Sequence, residues 1–439
     1  MRLKSLPPEP MMNMGECMAA AIQQVCNMED ARAKSMNRMS SVVRQPILDL
    51  RSRVHAYRLL FRGERVLDEA AEYNKLLETV LAFGLEKPSE MKKLTGKLTA
   101  FVHCPAKALN EQLAQVLPAS LTVLEIGPFA EVSPELIATC RQMKVLGFRI
   151  ALNGFMAEPQ NGSLLEVADY VRVDFARTSL EPRRQLSSEL RGTTELLATG
   201  IDTHADFRKA REEGFTLFEG FYFCELIAMK NRRPPVNQML RLEILKVLQQ
   251  TPLDMQKVSQ LVRRDGPLTY QLLRLVNSPA WGMRQNVESI EVALVAVGEN
   301  AFRRIATLAI ASEFNGDQPA ELLCMAILRG RICEVTALSR GLDPFGQYLL
   351  GLLSLLPAMQ GQPMSEVAPT LPLADEIVDA LLGKRNRVRD VLNWLEHFER
   401  GDWADCDAAA QAGELDQQEL ARVYFEAAAW TEKALHAGA

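Results

Sequence analysis

The sequence predicts an α/β fold followed by an all-α one, with a β/α barrel in the first half of the chain and a helical domain in the second. Three observations carry this. Short β-prone runs recur eight times between residues 42 and 223, with helix-like segments between most of them. "KNRRPPVNQ" (residues 230–238) then interrupts the pattern with consecutive prolines that cannot continue a helix. Beyond it strands vanish, amphipathic helices follow one another, and all four tryptophans (Trp281, Trp394, Trp403, Trp430) appear.

The β-prone runs are VVRQPILDL, VHAYRLLF, LTAFVH, LTVLEI, FRIALN, YVRVDF, TELLATGI and FTLFEGFYF. Eight strands alternating with helices fit a closed eight-stranded barrel, with an open doubly wound sheet as the alternative. The first two runs are separated only by "RSR", which predicts an antiparallel hairpin rather than a βα unit. Helices are expected at 65–81, 105–116, 133–146 and 205–213. The expected domain limits are a helical or flexible arm at 1–40, the barrel at 41–229, a linker at 230–238 and the helical domain at 239–439.

Composition narrows the class. A chain of 439 residues exceeds one ordinary core, and 48% hydrophobic with 24% charged residues is globular usage. A net charge of −5 argues against coating nucleic acid, which relies on phosphate neutralisation, so no nucleic-acid partner is expected. The eight cysteines are scattered and form no C-x-x-C pair, as reduced, packed thiols do. The N-terminus has a basic start without the apolar stretch of a signal peptide. The most apolar window, "QYLLGLLSLLPAM", falls short of the ~20 residues that span a bilayer. The expectation is a cytoplasmic protein without membrane contact.

Chemistry is harder to find. No G-x-G-x-x-G opening a helix, P-loop, H-E-x-x-H or G-x-S-x-G occurs, and none of the five histidines is followed by Asp. In a β/α barrel, functional groups gather where the strands end. That places His103, Glu125, Asn153, Gly154, Arg172 or Asp174, Asp202 and Glu219 on one rim. Such a mixed rim is either a site or a wet barrel mouth.

"QPILDLRSRVHAYRLLFRGE" resembles the opening of an EAL domain, the barrel family that hydrolyses cyclic di-GMP. The likeness continues in order through "LEIGP", "GFRIALNGF", "YVRVDF", "LLATGIDT" and "LFEGFYFCE". "RRDGPLTYQLLRLVNSPAWGMRQNVESIEVALVAVGENAFRR" and "FERGDW" are similar to an HDOD domain, a helical fold like that of HD phosphohydrolases without their metal residues. The resemblance implies a bacterial signalling protein with an EAL-like β/α barrel followed by an all-helical HDOD domain.

Active EAL members hold two divalent metals with carboxylates and an Asn. The resemblance sets Arg58 where the first ligand, a Glu, is expected, and His103 where the Asn is expected. Glu125 keeps its carboxylate, whereas Asn153 and Gly154 stand in place of paired aspartates. Arg172 replaces the catalytic Lys, Asp202 replaces a Glu and Glu219 a Gln. Gln45, Arg62 and a "GFYF" strand (220–223) keep structural parts of the family pattern. Two close divalent cations need several oxygen ligands. The resemblance therefore implies no metal, no cofactor and no phosphodiesterase activity. The expected function is a catalytically inactive signalling protein acting on other signalling proteins, with or without self-association. Because Arg58, Arg62 and Arg172 suit phosphate oxygens, a non-hydrolytic cyclic di-GMP receptor is the alternative, and an active phosphodiesterase the third reading.

In the second half, Leu272, Leu275 and Val276 recur at core spacing, and Trp281 is expected to fill the core beside the turn at Asn277. The basic cluster of Lys384, Arg385 and Arg387 is either a solvated helix face or a contact for an acidic partner.

Overall fold

In the computed structural model, the described residues are 40–63, 69–105, 109, 116–127, 133–154, 162–190, 192–227, 237–277, 281, 283 and 287–436. The arm expected over 1–40 lies outside them but for Ser40, as do most of the helix expected at 105–116 and most of the linker expected at 230–238.

All eight runs are strands, and they close into one barrel in sequence order. β1 (Val42–Asp49) and β2 (Val54–Phe61) form the antiparallel hairpin, with Asp49 accepting hydrogen bonds from the backbone N–H groups of Arg51 and Arg53 in its turn. β3 (Thr99–Cys104), β4 (Thr122–Ile126), β5 (Arg149–Asn153), β6 (Tyr170–Asp174), β7 (Glu195–Thr199) and β8 (Leu217–Glu219) follow in parallel. β1 closes the barrel by pairing antiparallel with β8 as well.

One expectation is corrected. Residues 220–223 are not strand: β8 stops at Glu219, Gly220 turns at φ +147°, and Tyr222–Cys224 is a short 3-10 helix. A Cβ on Gly220 would lie 2.1 Å from the Ile201 carbonyl oxygen, so no other residue fits this bend.

Helices α1 (Glu69–Phe83), α2 (Pro88–Thr95), α3 (Pro134–Val145), α4 (Gly162–Leu165), α5 (Leu180–Glu189) and α6 (His204–Glu212) belong to the barrel half. Ser133 and Thr203 cap α3 and α6 by accepting from backbone N–H groups three residues on. The second half is helical throughout its described residues. It runs through α7 (Gln238–Leu248), α8 (Met255–Arg263), α9 (Gly266–Val276), α10 (Ile290–Val297), α11 (Glu299–Asn315) and α12 (Ala320–Ala337). α13 (Pro344–Leu353), α14 (Leu356–Gln360), α15 (Met364–Val367) and α16 (Asp375–Leu381) come next. α17 (Asp390–Arg400), α18 (Trp403–Gly413) and α19 (Gln417–His436) complete the chain. Leu272, Leu275 and Val276 are buried, whereas Trp281 is only partly so and stands edge-on to Trp430 at 6.0 Å.

In a parallel β/α barrel each crossover helix covers the outside of the sheet. The β1–β2 hairpin has no such helix, so its outer face needs another cover. The helical half supplies it. Tyr57 on β2 donates to Glu321 of α12 at 2.9 Å, and Arg44 on β1 reaches Cys324 of α12 and Glu432 of α19. Phe83 of α1 packs against Phe425 of α19 at 5.2 Å. One buried apolar cluster accordingly runs through both halves, and a second, smaller one fills the barrel.

Candidate functional site

The smaller cluster fixes which side chains point inward: Ile47, Ala56, Phe101, Val123, Ala151, Tyr170, Leu197 and Leu217, one from each strand. Strand side chains alternate with period two. Two residues nearer the parallel strands' C-terminal ends, the same face presents Gln45, Arg58, His103, Glu125, Asn153, Arg172, Thr199 and Glu219. The apolar plug is thus topped by a polar layer at the barrel mouth.

The layer is laced together by charge. Arg58 Nε donates to Glu125 at 2.9 Å, and its Nη1 lies 3.9 Å from Glu219. Arg172 pairs with Glu125 through Nη1 and with Glu219 at 2.6 Å through Nη2. Asn153 adds a hydrogen bond to Glu125 at 2.8 Å, and His103 stands 3.3 Å from Glu72 of α1. Glu125 is completely buried, and Arg58, Arg172, His103 and Glu219 are nearly so. A buried carboxylate survives only when its oxygens are met by donors, and here two guanidiniums and an amide meet them. Two arginines against two glutamates leave this quartet formally neutral.

The other expected residues lie elsewhere. Arg62 follows the end of β2 and turns to Asp407 and Gln417 of the helical half, with its guanidinium 5.8 Å over the Trp403 ring. Asp202 sits in the loop after β7, accepting from the Phe221 N–H at 2.9 Å. Asp174 ends β6, half-exposed, and accepts from the Arg177 N–H. Gly154 forms the turn after β5 at φ +66°, and it contributes backbone freedom, not a ligand. Lys384 is tied to Asp379 at 2.6 Å and Arg387 donates to the Arg340 carbonyl, while Lys384, Arg385 and Arg387 are all exposed.

Sequence reasoning missed the pairing between halves. Arg44 was its visible signal: a cation in the middle of an apolar strand, at a position facing away from the barrel interior. It is buried, stacks on Tyr57 at 4.5 Å and is flanked by Glu432. Beside it, burial pushes the Glu321 carboxyl up to about 7, against the smaller opposing pull of Arg44 and the Tyr57 hydrogen bond.

The EAL resemblance implies that active members hold a divalent metal pair at this layer. Such a pair needs several oxygen ligands free to coordinate. Glu125 and Glu219 direct theirs to guanidiniums, and Arg58 and Arg172 already supply two positive charges. As arranged, the donor set does not fit two hard cations.

Known proteins supply the wider setting. Residues 234–343, spanning α7 to the end of α12 and just beyond, match the HDOD domain family. This segment is an HDOD domain. Over nearly the whole chain there is similarity to YuxH of Bacillus subtilis, 28% identical over 413 residues covering 90% of this chain and 99% of that protein. CdgJ of Vibrio cholerae, named a cyclic di-GMP phosphodiesterase, is 26% identical over 405 residues, covering 89% of this chain and 92% of its own. Among solved structures, an EAL domain protein from Listeria monocytogenes aligns with 44% of this chain and 90% of its own, at 16% identity and a TM-score of 0.36. The HDOD segment is preceded by a closed eight-stranded barrel, as expected.

The expectation that the chain is not an enzyme is corrected by these relatives. It rested on the altered strand-end residues alone, and a relative of matching length carries the name of a phosphodiesterase. Among the described residues, no helix is long and apolar enough to cross a membrane.

Proposed function

We propose that this chain is a cyclic di-GMP signalling protein whose barrel mouth engages the dinucleotide's phosphates and whose HDOD half carries the response to other proteins. The observation supporting it is the pair of guanidiniums, Arg58 and Arg172, set side by side in the mouth layer of a chain related to a cyclic di-GMP phosphodiesterase. Guanidinium forks match phosphate oxygens as well as they match carboxylates. A phosphodiester entering the mouth exchanges with Glu125 and Glu219 for the same donors. The test is calorimetry of the full chain with cyclic di-GMP, with and without magnesium, alongside chromatography for the linear dinucleotide. Binding that is lost in Arg58→Met and Arg172→Met supports the proposal. Absence of binding under both conditions overturns it.

A second reading takes protein contacts as the main activity. α10 presents Val292 and Val295 to solvent, 53% and 80% exposed, next to Met255 of α8. Exposed apolar side chains clustered on one helix mark contact surfaces. Sedimentation of the wild type and Val295→Asp tests self-association through this face.

A further inference from the structure

Gln45 belongs to the mouth layer, yet its amide does not point to another barrel residue in the charged quartet. Its Nε2 donates to the carbonyl oxygens of Glu399 at 3.0 Å and Arg400 at 3.1 Å. These are the last carbonyls of α17, where the helix carries the negative end of its dipole. Gly401 closes the helix at φ +74°, and a Cβ there would lie 3.0 Å from Leu60 Cδ1, at the top of β2. On the opposite side Arg400 lies 4.6 Å over the Phe221 ring and 4.0 Å from Asp202, both beyond strand ends of the barrel.

The position of this segment is enforced from behind. Arg329 of α12 forks onto the buried Glu399 carboxylate, with Nε at 3.0 and 3.1 Å from its two oxygens, and fixes its own Nη1 on Ser354. The arrangement therefore forms a chain of contacts from the middle of α12, through Glu399 and its carbonyl, to Gln45. Gln45 is the β-ladder partner of Arg58.

We infer that the C-terminal end of α17 is an intramolecular plug on the barrel mouth, and that an anionic ligand gains the layer only when the plug is released. Two physical effects make plug and anion exclusive. The helix end places partial negative charge against the mouth, which opposes an arriving phosphate. It also satisfies Gln45, so displacement leaves an amide and two helix-terminal carbonyls to be met by something else. The identity of the anion rests on the function proposed above; the plug does not.

Cys224 reports on the plug without any ligand. It lies half-buried beyond β8, within electrostatic reach of Arg329, Glu399 and Arg400, and loss of solvation pushes its thiol up to about 12. Iodoacetamide labelling of the full chain, resolved by peptide mass spectrometry, reads its accessibility against Cys140, which is packed in the barrel half. Gly401→Val wedges the plug against Leu60, and the milder Arg400→Asp, at a side chain 48% exposed, sets like charges opposite Asp202. Both variants are expected to label Cys224 faster, by about tenfold in Gly401→Val, with Cys140 unchanged. Because coupling is reciprocal, saturating cyclic di-GMP is expected to speed Cys224 labelling in the wild type. Unchanged Cys224 labelling in both folded variants overturns the plug. Faster labelling in the variants with no effect or binding of cyclic di-GMP supports the plug and overturns the proposed ligand.

Discussion

Glu321 offers a direct test of how the two halves are joined. It is buried between β2 and α12, hydrogen-bonded to Tyr57 and near Arg44. Burial raises its carboxyl from 4.5 to about 7. The folded chain thus holds this proton more tightly than the unfolded chain does. Between about pH 4.5 and 7 the native state binds more protons, so stability falls as pH rises through that window. A shift of that size corresponds to roughly 3 kcal/mol at 1.36 kcal/mol per unit. Glu321→Gln keeps an acceptor for the Tyr57 hydroxyl and has no proton to lose. Its stability relative to the wild type should therefore grow with pH, by up to roughly 3 kcal/mol between pH 4.5 and 8. Urea denaturation of both full-length proteins at pH 5, 6, 7 and 8 measures this difference. Parallel pH profiles would refute the assignment of Glu321 as a buried carboxyl that ionises near neutrality.

Other outcomes follow from the same contacts. Arg329→Met strands the buried Glu399 charge and is expected to lower stability by ~3–5 kcal/mol, with most of the loss recovered in the double variant with Glu399→Gln, as a urea double-mutant cycle would register. Gly220→Ala forces a Cβ against the Ile201 carbonyl and should sharply lower the melting temperature, whereas Gly192→Ala, with open space around it, pays only for its positive φ. Tyr57→Phe removes the hydroxyl facing Glu321 and should cost about 1–3 kcal/mol in chemical denaturation, since the carboxyl is left buried without that donor.

The barrel was readable because each strand is a short apolar run with side chains alternating between two packed faces, and turn residues such as Asn153 and Gly154 mark where the runs stop. The mouth layer was readable in part: strand ends put His103, Glu125, Arg172 or Asp174, and Glu219 on one rim, whereas Arg58 entered only through the family resemblance and Asp202 falls in a loop outside the layer. The pairing of Arg58 with Glu125 and of Arg172 with Glu219 was not readable, because residues 67 and 47 positions apart meet only when the barrel closes. "GFYF" misled because its apolar side chains suit a strand, while the backbone at Gly220 must bend around Ile201. Arg62 followed the family pattern in sequence but leaves the mouth for Asp407, a contact 345 residues away that no local pattern encodes.

The hairpin's reliance on the helical half for its outer cover also has a consequence in time. β1 is among the first parts of the barrel to be synthesised, yet its Arg44 finds Glu432 on α19, 388 residues later. At about 5–20 residues per second on a ribosome, roughly 20–80 s separate the two partners. The outer face of β1 and β2 lacks both covering helices until α12 brings Glu321 to Tyr57, 264 residues on, and lacks α19 until the end of the interval. The side of the hairpin that the barrel's own helices leave open is thus closed by segments synthesised hundreds of residues later.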